Sequence, residues 1–274
     1  MPDILIPLLV LSAVGILCAV LLVVAAKYFS TEENSEVIAL RDCLPGANCG
    51  ACGFSGCDAY AKALAVGETD KTNLCVPGGA TASEDIASVL GVEAAAVEKK
   101  VAYVACNGTC DATKKDEKGL LGGFSSCKEA AEKWGGENVC LSACIGLGDC
   151  VAVCPEQAIV LLDGVAKVIS SQCLGCGLCA KTCPHGVIRI MSGETSIAVN
   201  CSNHDKGAMT RKMCTNGCIG CTKCVKTCPN EAISMDNNLA VIDYEKCTGC
   251  GACAAACPVH VIKSDCFICD KCVK

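Results

Sequence analysis

Thirty of the 274 residues are cysteine, and most of them recur at fixed, short spacings. The arrangement Cys-x2-Cys-x2-Cys-x3-Cys-Pro occurs in full three times. Three thiolates spaced in this way can bind three iron atoms of a cubane, and the cysteine before proline binds the other cluster of a two-cluster module. The complete copies are Cys173, Cys176, Cys179 and Cys183; Cys218, Cys221, Cys224 and Cys228; and Cys247, Cys250, Cys253 and Cys257.

Zinc sites and disulfide frameworks are the alternatives for a cysteine-rich chain. Zinc sites place two cysteine pairs on either side of a longer spacer, and they seldom continue into a third and a fourth cysteine followed by proline. The spacing therefore predicts [4Fe-4S] clusters, and it indicates a protein that conducts electrons.

A repeat orders these cysteines further, because a shift of 74 residues places nine cysteines onto nine later ones. The segment Val165 to Val168 matches Leu239 to Ile242, and both are strand-like. The shift maps Cys127, Cys140, Cys144, Cys150, Cys154, Cys173, Cys176, Cys179 and Cys183 onto Cys201, Cys214, Cys218, Cys224, Cys228, Cys247, Cys250, Cys253 and Cys257. The repeat predicts two tandem ferredoxin-like modules with two clusters each.

One ligand position differs between the two copies, because Leu147 stands where Cys221 stands in the second. Cys140, four residues before Cys144, is the natural replacement, which leaves its counterpart Cys214 spare. The predicted ligand sets are Cys140, Cys144, Cys150 with Cys183; Cys173, Cys176, Cys179 with Cys154; Cys218, Cys221, Cys224 with Cys257; and Cys247, Cys250, Cys253 with Cys228.

A different pattern, Cys-x2-Cys-x4-Cys-x17-Cys, occupies the N-terminal third. Glycines flank its first thiols, which lets the backbone approach a cluster and direct N–H groups at sulfur. This pattern predicts a fifth cluster, with the ligands Cys49, Cys52, Cys57 and Cys75.

The remaining cysteines leave the number of clusters open between five and seven, and we expect six. Cys106, Cys110 and Cys127 make three ligands that either Cys201 or Cys214 can complete, although a group of buried free thiols is the alternative. Cys18 and Cys43 are interpreted as unligated. At the C-terminus, Cys266, Cys269 and Cys272 form half a motif. It suits a seventh cluster, a frayed tail or a truncated module equally well.

The composition limits both the fold and the partners. Aromatic residues make up only 3% of the chain, so we expect small cores and domains that fold only with iron. Short strands and helices around the motifs predict an α+β fold, and abundant thiolates without a secretory cleavage site indicate a reducing compartment. A formal net charge of −6, with no basic run, argues against nucleic acid as a partner.

An uncharged stretch of 23 residues, from Ile4 to Ala26, is long enough to cross about 30 Å of hydrocarbon as a helix. A signal peptide would need a basic start and a shorter apolar core, whereas Asp3 precedes this stretch. The only positive side chains nearby, Lys27 and Arg41, follow it. We therefore expect a single transmembrane anchor, with the cluster domains facing the cytoplasm.

These features divide the chain into predicted segments. They are an anchor at 1–27, a linker at 28–42, a cluster domain at 43–80, a connecting region at 81–135, modules at 136–200 and 201–262, and a cysteine-rich tail at 263–274. In the connecting region, Thr81 and Glu84 predict a capping box and a helix to about Gly91, followed by a helical stretch to Lys100. A strand is expected at Val101 to Ala105 and a short helix from Ser126 to Trp134. The sequence shows no dinucleotide fingerprint, P-loop or catalytic set, so no catalytic residue is assigned.

The order of these features resembles a known family. An apolar anchor, then Leu44 to Gly53 with Cys57, then Asn73 to Gly79, then ferredoxin modules, is similar to the B subunits of Rnf electron-transport complexes. The resemblance implies a subunit of a membrane-bound ferredoxin:NAD oxidoreductase coupled to Na⁺ or H⁺ translocation. This subunit would accept electrons from soluble ferredoxin, and its partners would be the other membrane and flavin-bearing subunits.

Two other classes remain open at this stage. A membrane-anchored polyferredoxin of a hydrogenase or another reductase would share the ferredoxin repeats, but it is not expected to carry the Cys49 to Cys75 domain behind an anchor. A metal-storage or scaffold protein would show no redox activity. Reduction by ferredoxin and co-purification with flavin-bearing subunits distinguish these classes.

Overall fold

A computed structural model of the chain describes residues 14–24, 34–115, 123–193 and 197–263. Residues 14–24 are helical, and their large apolar side chains are exposed, as at Leu22 and Val23. Within these described ranges, no helix is both long enough and apolar enough to cross a bilayer. The predicted anchor from Ile4 to Ala26 lies only partly within the described residues, and the tail with Cys266, Cys269 and Cys272 lies wholly outside them.

The N-terminal domain is built from three helices around a small core. The helices span Ser35–Asp42, Cys57–Val66 and Gly79–Leu90, with a short 3-10 helix at Thr72–Leu74. Leu40, Tyr60 and Ile86 are almost fully buried between them.

The predicted linker at 28–42 is therefore corrected in its second half. The Asn34 side chain accepts the N–H of Glu36 and caps the helix Ser35–Asp42. Leu40 on this helix is 0% exposed and packs in the N-terminal core. Because this burial fixes the helix against the domain, the N-terminal domain begins before Cys43.

The predicted helical stretch in the connecting region is also corrected. The helix Gly79–Leu90 begins before the expected capping box and ends, as expected, at Gly91 in the left-handed conformation. Residues 92–99 are not helical. Their backbone instead bonds to the N-terminal domain, because Ser83 Oγ donates to the Ala95 carbonyl and the Ala95 N–H donates to Thr72 Oγ1.

The strands of the described chain form four antiparallel pairs, two for each module. A central hairpin and a closing pair make up each module. In module one, β1 Lys100–Val104 pairs with β4 Ile188–Ser192, and β2 Ile159–Leu162 pairs with β3 Val165–Val168. In module two, β5 Ala198–Val199 pairs with β8 Ile262–Lys263, and β6 Ile233–Asp236 pairs with β7 Leu239–Ile242.

The two modules repeat one another, as the sequence predicts. Ile159 lies opposite Val168 in the first hairpin, and Ile233 lies opposite Ile242 in the second. The module helices are short and carry the cysteines: Asp149–Ala152, Leu178–Thr182, Lys223–Thr227 and Ala252–Ala256. Two further helices, Cys127–Trp134 and Gly207–Met213, precede the cysteine motifs.

The pairing of β1 with β4 changes the boundary of module one. The strand predicted at Val101 to Ala105 is present as β1, shifted by one residue. The module predicted at 136–200 therefore includes a strand from the connecting region. The predicted helix from Ser126 is also present, since the Ser126 side chain accepts the N–H of Glu129 and caps the helix Cys127–Trp134.

Candidate iron–sulfur sites

The cysteines of the N-terminal domain converge on one place, which we call site A. The helix Cys57–Val66 begins at Cys57, whose backbone N–H donates to Asn48 Oδ1 at 2.8 Å. Burial raises the pKa of the Cys75 thiol, the Gly78 N–H lowers it, and the neighbouring Cys57, Cys52 and Cys49 raise it further. Site A thus gathers the four predicted ligands Cys49, Cys52, Cys57 and Cys75.

Site B is a cavity of about 360 Å³ in module one. Backbone N–H groups of Gly175 and Ala102 donate to Cys173 Sγ at 3.4 Å, and that of Ala158 donates to Cys154 Sγ at 3.3 Å. Such bonds favour a thiolate. The cysteines in its wall are the predicted set Cys154, Cys173, Cys176 and Cys179.

Site C is a second cavity of about 360 Å³ in module one, and its ligand set differs from the expected one. The cysteines in its wall are Cys127, Cys144, Cys150 and Cys183. Cys127 thus supplies the sulfur that Leu147 lacks, where the sequence favours Cys140. The cause is Asp149, whose carboxylate accepts the N–H groups of Cys127 and Lys128 at 2.8 and 3.0 Å. These bonds place the start of the helix Cys127–Trp134 beside Cys150.

Sites E and F are the corresponding groups in module two. Burial raises the pKa of Cys224 to about 11, and its thiol neighbours are Cys218, Cys221 and Cys257. Burial likewise raises the pKa of Cys253, whose thiol neighbours are Cys247 and Cys228. With Cys250 added from the motif, site E comprises Cys218, Cys221, Cys224 and Cys257, and site F comprises Cys228, Cys247, Cys250 and Cys253.

Four of the cysteines left over by these five sites meet between the modules, at site D. They line a cavity of about 320 Å³ and are Cys106, Cys140, Cys201 and Cys214. The sequence places Cys106 with Cys110 and Cys127, completed by either Cys201 or Cys214. The structure brings Cys201 and Cys214 in together, and it adds Cys140.

Cys110 lies elsewhere, and this corrects its predicted role beside Cys106. It is exposed, and its N–H donates to the carbonyl of Asp163 at 2.9 Å. Asp163 belongs to the turn between β2 and β3, so Cys110 is held at that turn and not in the wall of site D.

The electrostatics of these sites suit a bound cation cluster. Burial, with a further rise from neighbouring thiols, gives Cys150 and Cys179 pKa values of about 12. These two thiols are therefore neutral at pH 7 when no metal is bound. Metal coordination deprotonates a thiol outright and supplies the positive charge that burial otherwise withholds.

Successive sites are adjacent to one another. Cys49 of site A lies close enough to site B to raise the pKa of the Cys176 thiol, and Lys181 Nζ donates to the Cys49 carbonyl at 3.2 Å. The backbone N–H of Cys144 in site C donates to Cys106 Sγ in site D at 3.3 Å. That of Cys218 in site E donates to Cys201 Sγ in site D at 3.4 Å.

Among the described residues, no three His, Cys, Asp or Glu side chains are arranged to hold a single metal ion. A cubane cluster requires a different arrangement of ligands, because each of its four thiolates binds a different iron atom.

Comparisons with known proteins agree with the cysteine motifs. The 4Fe-4S dicluster domain family matches residues 143–187 and again 217–261. A second family, described as "Putative Fe-S cluster", matches residues 44–77.

Whole-chain relatives are similar over most of their length. The B subunit of the Na⁺-translocating ferredoxin:NAD⁺ oxidoreductase complex of Acetobacterium woodii is 39% identical over 244 residues, which cover 89% of this chain and 72% of that protein. The B subunit of the proton-translocating complex of Clostridium ljungdahlii is 41% identical over 237 residues, covering 86% and 83%. The B subunit of the ion-translocating oxidoreductase complex of Methanosarcina acetivorans is 39% identical over 240 residues, covering 86% and 89%.

Proposed function

Because this chain belongs to the family of B subunits of ion-translocating ferredoxin:NAD⁺ oxidoreductases, the Rnf complexes, we propose that it conducts electrons through such a complex. Its chemistry is one-electron transfer, which bound [4Fe-4S] clusters supply. The protein contributes thiolate ligands, N–H donors to sulfur, and burial. Coupling to Na⁺ or H⁺ translocation, and NAD reduction at a flavin, belong to the assembled complex.

The observation that carries this proposal is the adjacency of the cysteine groups. Neighbouring sites are linked by hydrogen bonds at the steps from A to B, from C to D and from D to E. Sites B and C share module one, and sites E and F share module two. A metal-storage protein does not require its metal sites to lie next to one another in a series.

Electrons are expected to enter through the modules and to leave through site A. Soluble ferredoxin is the proposed donor, and the membrane subunits are the proposed acceptors. Site A is the cysteine group nearest along the chain to the apolar N-terminal stretch, and the helix Ser35–Asp42 packs in the same small domain. The modules lie further along the chain, which supports them as the part that a soluble carrier contacts.

The Cys52→Ala variant tests this route in the assembled complex. We expect loss of the site A cluster, normal reduction of the remaining clusters by ferredoxin, and loss of electron transfer to the membrane flavins. Cys110→Ala is the matched control, because Cys110 is exposed and lies outside the cysteine sites. Normal flavin reduction, with site A shown to lack iron, would contradict the route.

Membrane attachment is proposed for the stretch from Ile4 to Ala26, with the cluster domains on the cytoplasmic side. The uncharged sequence supports this, as does the exposure of the apolar side chains on the helical residues 14–24. Deleting residues 1–27 should give a chain with full iron content that ferredoxin reduces but that no longer binds membranes. Loss of iron from this deletion would show that the segment also supports the fold.

A further inference from the structure

Site D joins the two modules, and its four cysteines lie outside the residues that the family models match. Those matches cover 44–77, 143–187 and 217–261. All four thiols of site D are buried, with 6 to 8% of their surface exposed. Its cavity of about 320 Å³ is close to the 360 Å³ of sites B and C. The space therefore matches that of the two cysteine-lined cavities in module one.

The two modules contribute equivalent cysteines to site D. Cys106 and Cys201 each lie two residues after the end of a strand, β1 or β5. The residue between donates its N–H to the segment just before the partner strand, Ala105 to the Val187 carbonyl at 2.7 Å and Asn200 to the Val261 carbonyl at 2.8 Å. Each cysteine accepts a backbone N–H from the first motif cysteine of its own module, Cys144 or Cys218.

The other pair, Cys140 and Cys214, is related in the same way. Each lies four residues before the first motif cysteine of its own module. Site D therefore takes the same two positions from each module, which is the arrangement expected at an approximate two-fold axis between repeats.

Asn, Ser and Thr make up most of the other residues around site D, and the wall is closely fitted. Backbone N–H groups of Gly108 and Asn203 donate to Cys106 Sγ and Cys201 Sγ at 3.4 and 3.5 Å. A Cβ at Gly108 would lie 2.5 Å from Thr113 Oγ1, so only glycine fits there. The Asn200 side chain also lines the cavity, and its buried Oδ1 has no hydrogen-bond partner among the described residues.

A ligand in the cavity would give that orphaned amide a partner. Turning the amide over exchanges its oxygen for an NH₂ group, a choice that hydrogen-bond partners determine. An NH₂ group directed into the cavity could donate to a cluster sulfide, and buried polar groups are normally satisfied.

We propose that site D binds a [4Fe-4S] cluster through Cys106, Cys140, Cys201 and Cys214, and that this shared cluster is the electron connection between the two modules. The connecting role rests on the proposed function, since it assumes that electrons traverse the chain. One electron at a time would pass from one module to the other, with ferredoxin as the reductant and the membrane flavins as the oxidant.

Iron and sulfide content of paired variants tests the ligand set in the full chain. Cys140→Ala and Cys214→Ala should each lose about four irons, and the double variant should lose no more, because both remove the same cluster. Combining Cys127→Ala with Cys140→Ala should lose about eight, because these residues serve different clusters. Additive loss in the first pair, or non-additive loss in the second, overturns the ligand set.

Two measurements keep the test decisive. Cys110→Ala, the matched control, should retain full iron content. Loss of one cluster from this variant would show that Cys110 is a ligand of site D. If the alanine variants do not fold, the wild-type chain can be stripped of iron stepwise and alkylated. The four site D cysteines should become reactive to the alkylating agent at the same step. The proposal is overturned if Cys140 becomes reactive at the same step as Cys144 and Cys150. It is also overturned if site D holds zinc in place of iron.

The connecting role has its own readout. In a variant that lacks the site D cluster, ferredoxin should still reduce the clusters of the module it contacts, while the clusters of the other module stay oxidised. EPR measures the reduction of each module. Uniform reduction of both modules would overturn the connection even if the ligand set stands. A chain that ferredoxin cannot reduce at all, but that shows the predicted iron losses, would instead count against the proposed function alone.

Discussion

The two ferredoxin modules share their strands, their turns and most of their cysteines, yet they complete equivalent sites from different parts of the chain. Site E in module two takes Cys221 from within its motif. Site C in module one takes Cys127 from the start of a helix that precedes the motif. The comparison shows that a cluster site requires a sulfur at a given position in space, and that the chain can deliver that sulfur from more than one segment.

A second substitution accompanies the first. Asp149 fixes Cys127 by accepting the N–H groups at the start of the helix Cys127–Trp134. A carboxylate at a helix N-terminus satisfies free donors and is favoured by the helix dipole. The repeat places Lys223 at the equivalent position in module two. Cys221 already supplies the sulfur there, so no cysteine from a preceding helix is needed. The two modules therefore differ both in the cysteine that completes the site and in the carboxylate that positions it.

Removing iron should have the largest effect, and it should affect both modules. Their cores consist of small aliphatic residues around buried thiols, and metal binding contributes directly to folding. We expect the full chain made without iron to be largely unfolded by circular dichroism, and anaerobic reconstitution to restore it. A cooperative thermal transition in iron-free protein would contradict this expectation for whichever module showed it.

Transplanting the ligand position of module two into module one tests the comparison directly. Cys127→Ala should lose about four irons or convert the site C cluster to a three-iron form by EPR. Adding Leu147→Cys should restore the cluster, because Leu147 occupies the position of Cys221 and already packs beside Cys127.

The control for this exchange is Leu147→Cys alone, which should retain the iron content of the unmodified chain. If the double variant remained short of iron while the control was complete, the two modules would not be equivalent at this position.

The sequence predicts the cysteine motifs and the duplicated hairpins correctly because these depend on local spacing. The four cysteines predicted for site A lie together as well, and their binding of a cluster stays a prediction. The sequence assigns Cys127 and Cys140 to the opposite sites because their placement depends on long-range contacts, namely the Asp149 carboxylate and the packing of the two modules. The shift of 74 residues also misleads, since it pairs Cys127 with Cys201. In the structure the counterpart of Cys201 is Cys106, because the segment from Cys106 to Cys140 is longer than that from Cys201 to Cys214.

The helix Ser35–Asp42 shows the same limit in the N-terminal domain. Charged and polar residues make up half of it, so its sequence is interpreted as a linker and does not indicate a core helix. One residue, Leu40, fixes it against Tyr60 and Ile86. Contacts across 20 to 46 residues decide that packing, and local patterns do not report them.

The smallest expected effect concerns a lysine that distinguishes module one from module two. Lys181 reaches the Cys49 carbonyl, whereas the equivalent position in module two is Ala255. Lys181→Ala should leave the iron content unchanged, because no ligand is touched. An exposed hydrogen bond of this kind stabilises by only about 1 kcal/mol, so the variant should slow reduction of site A by ferredoxin modestly, measured by rapid mixing. Lys226→Ala, an exposed lysine on a module two helix, is the control and should not slow it. Equal slowing in both variants would show that overall charge, and not the contact between site A and module one, sets the rate.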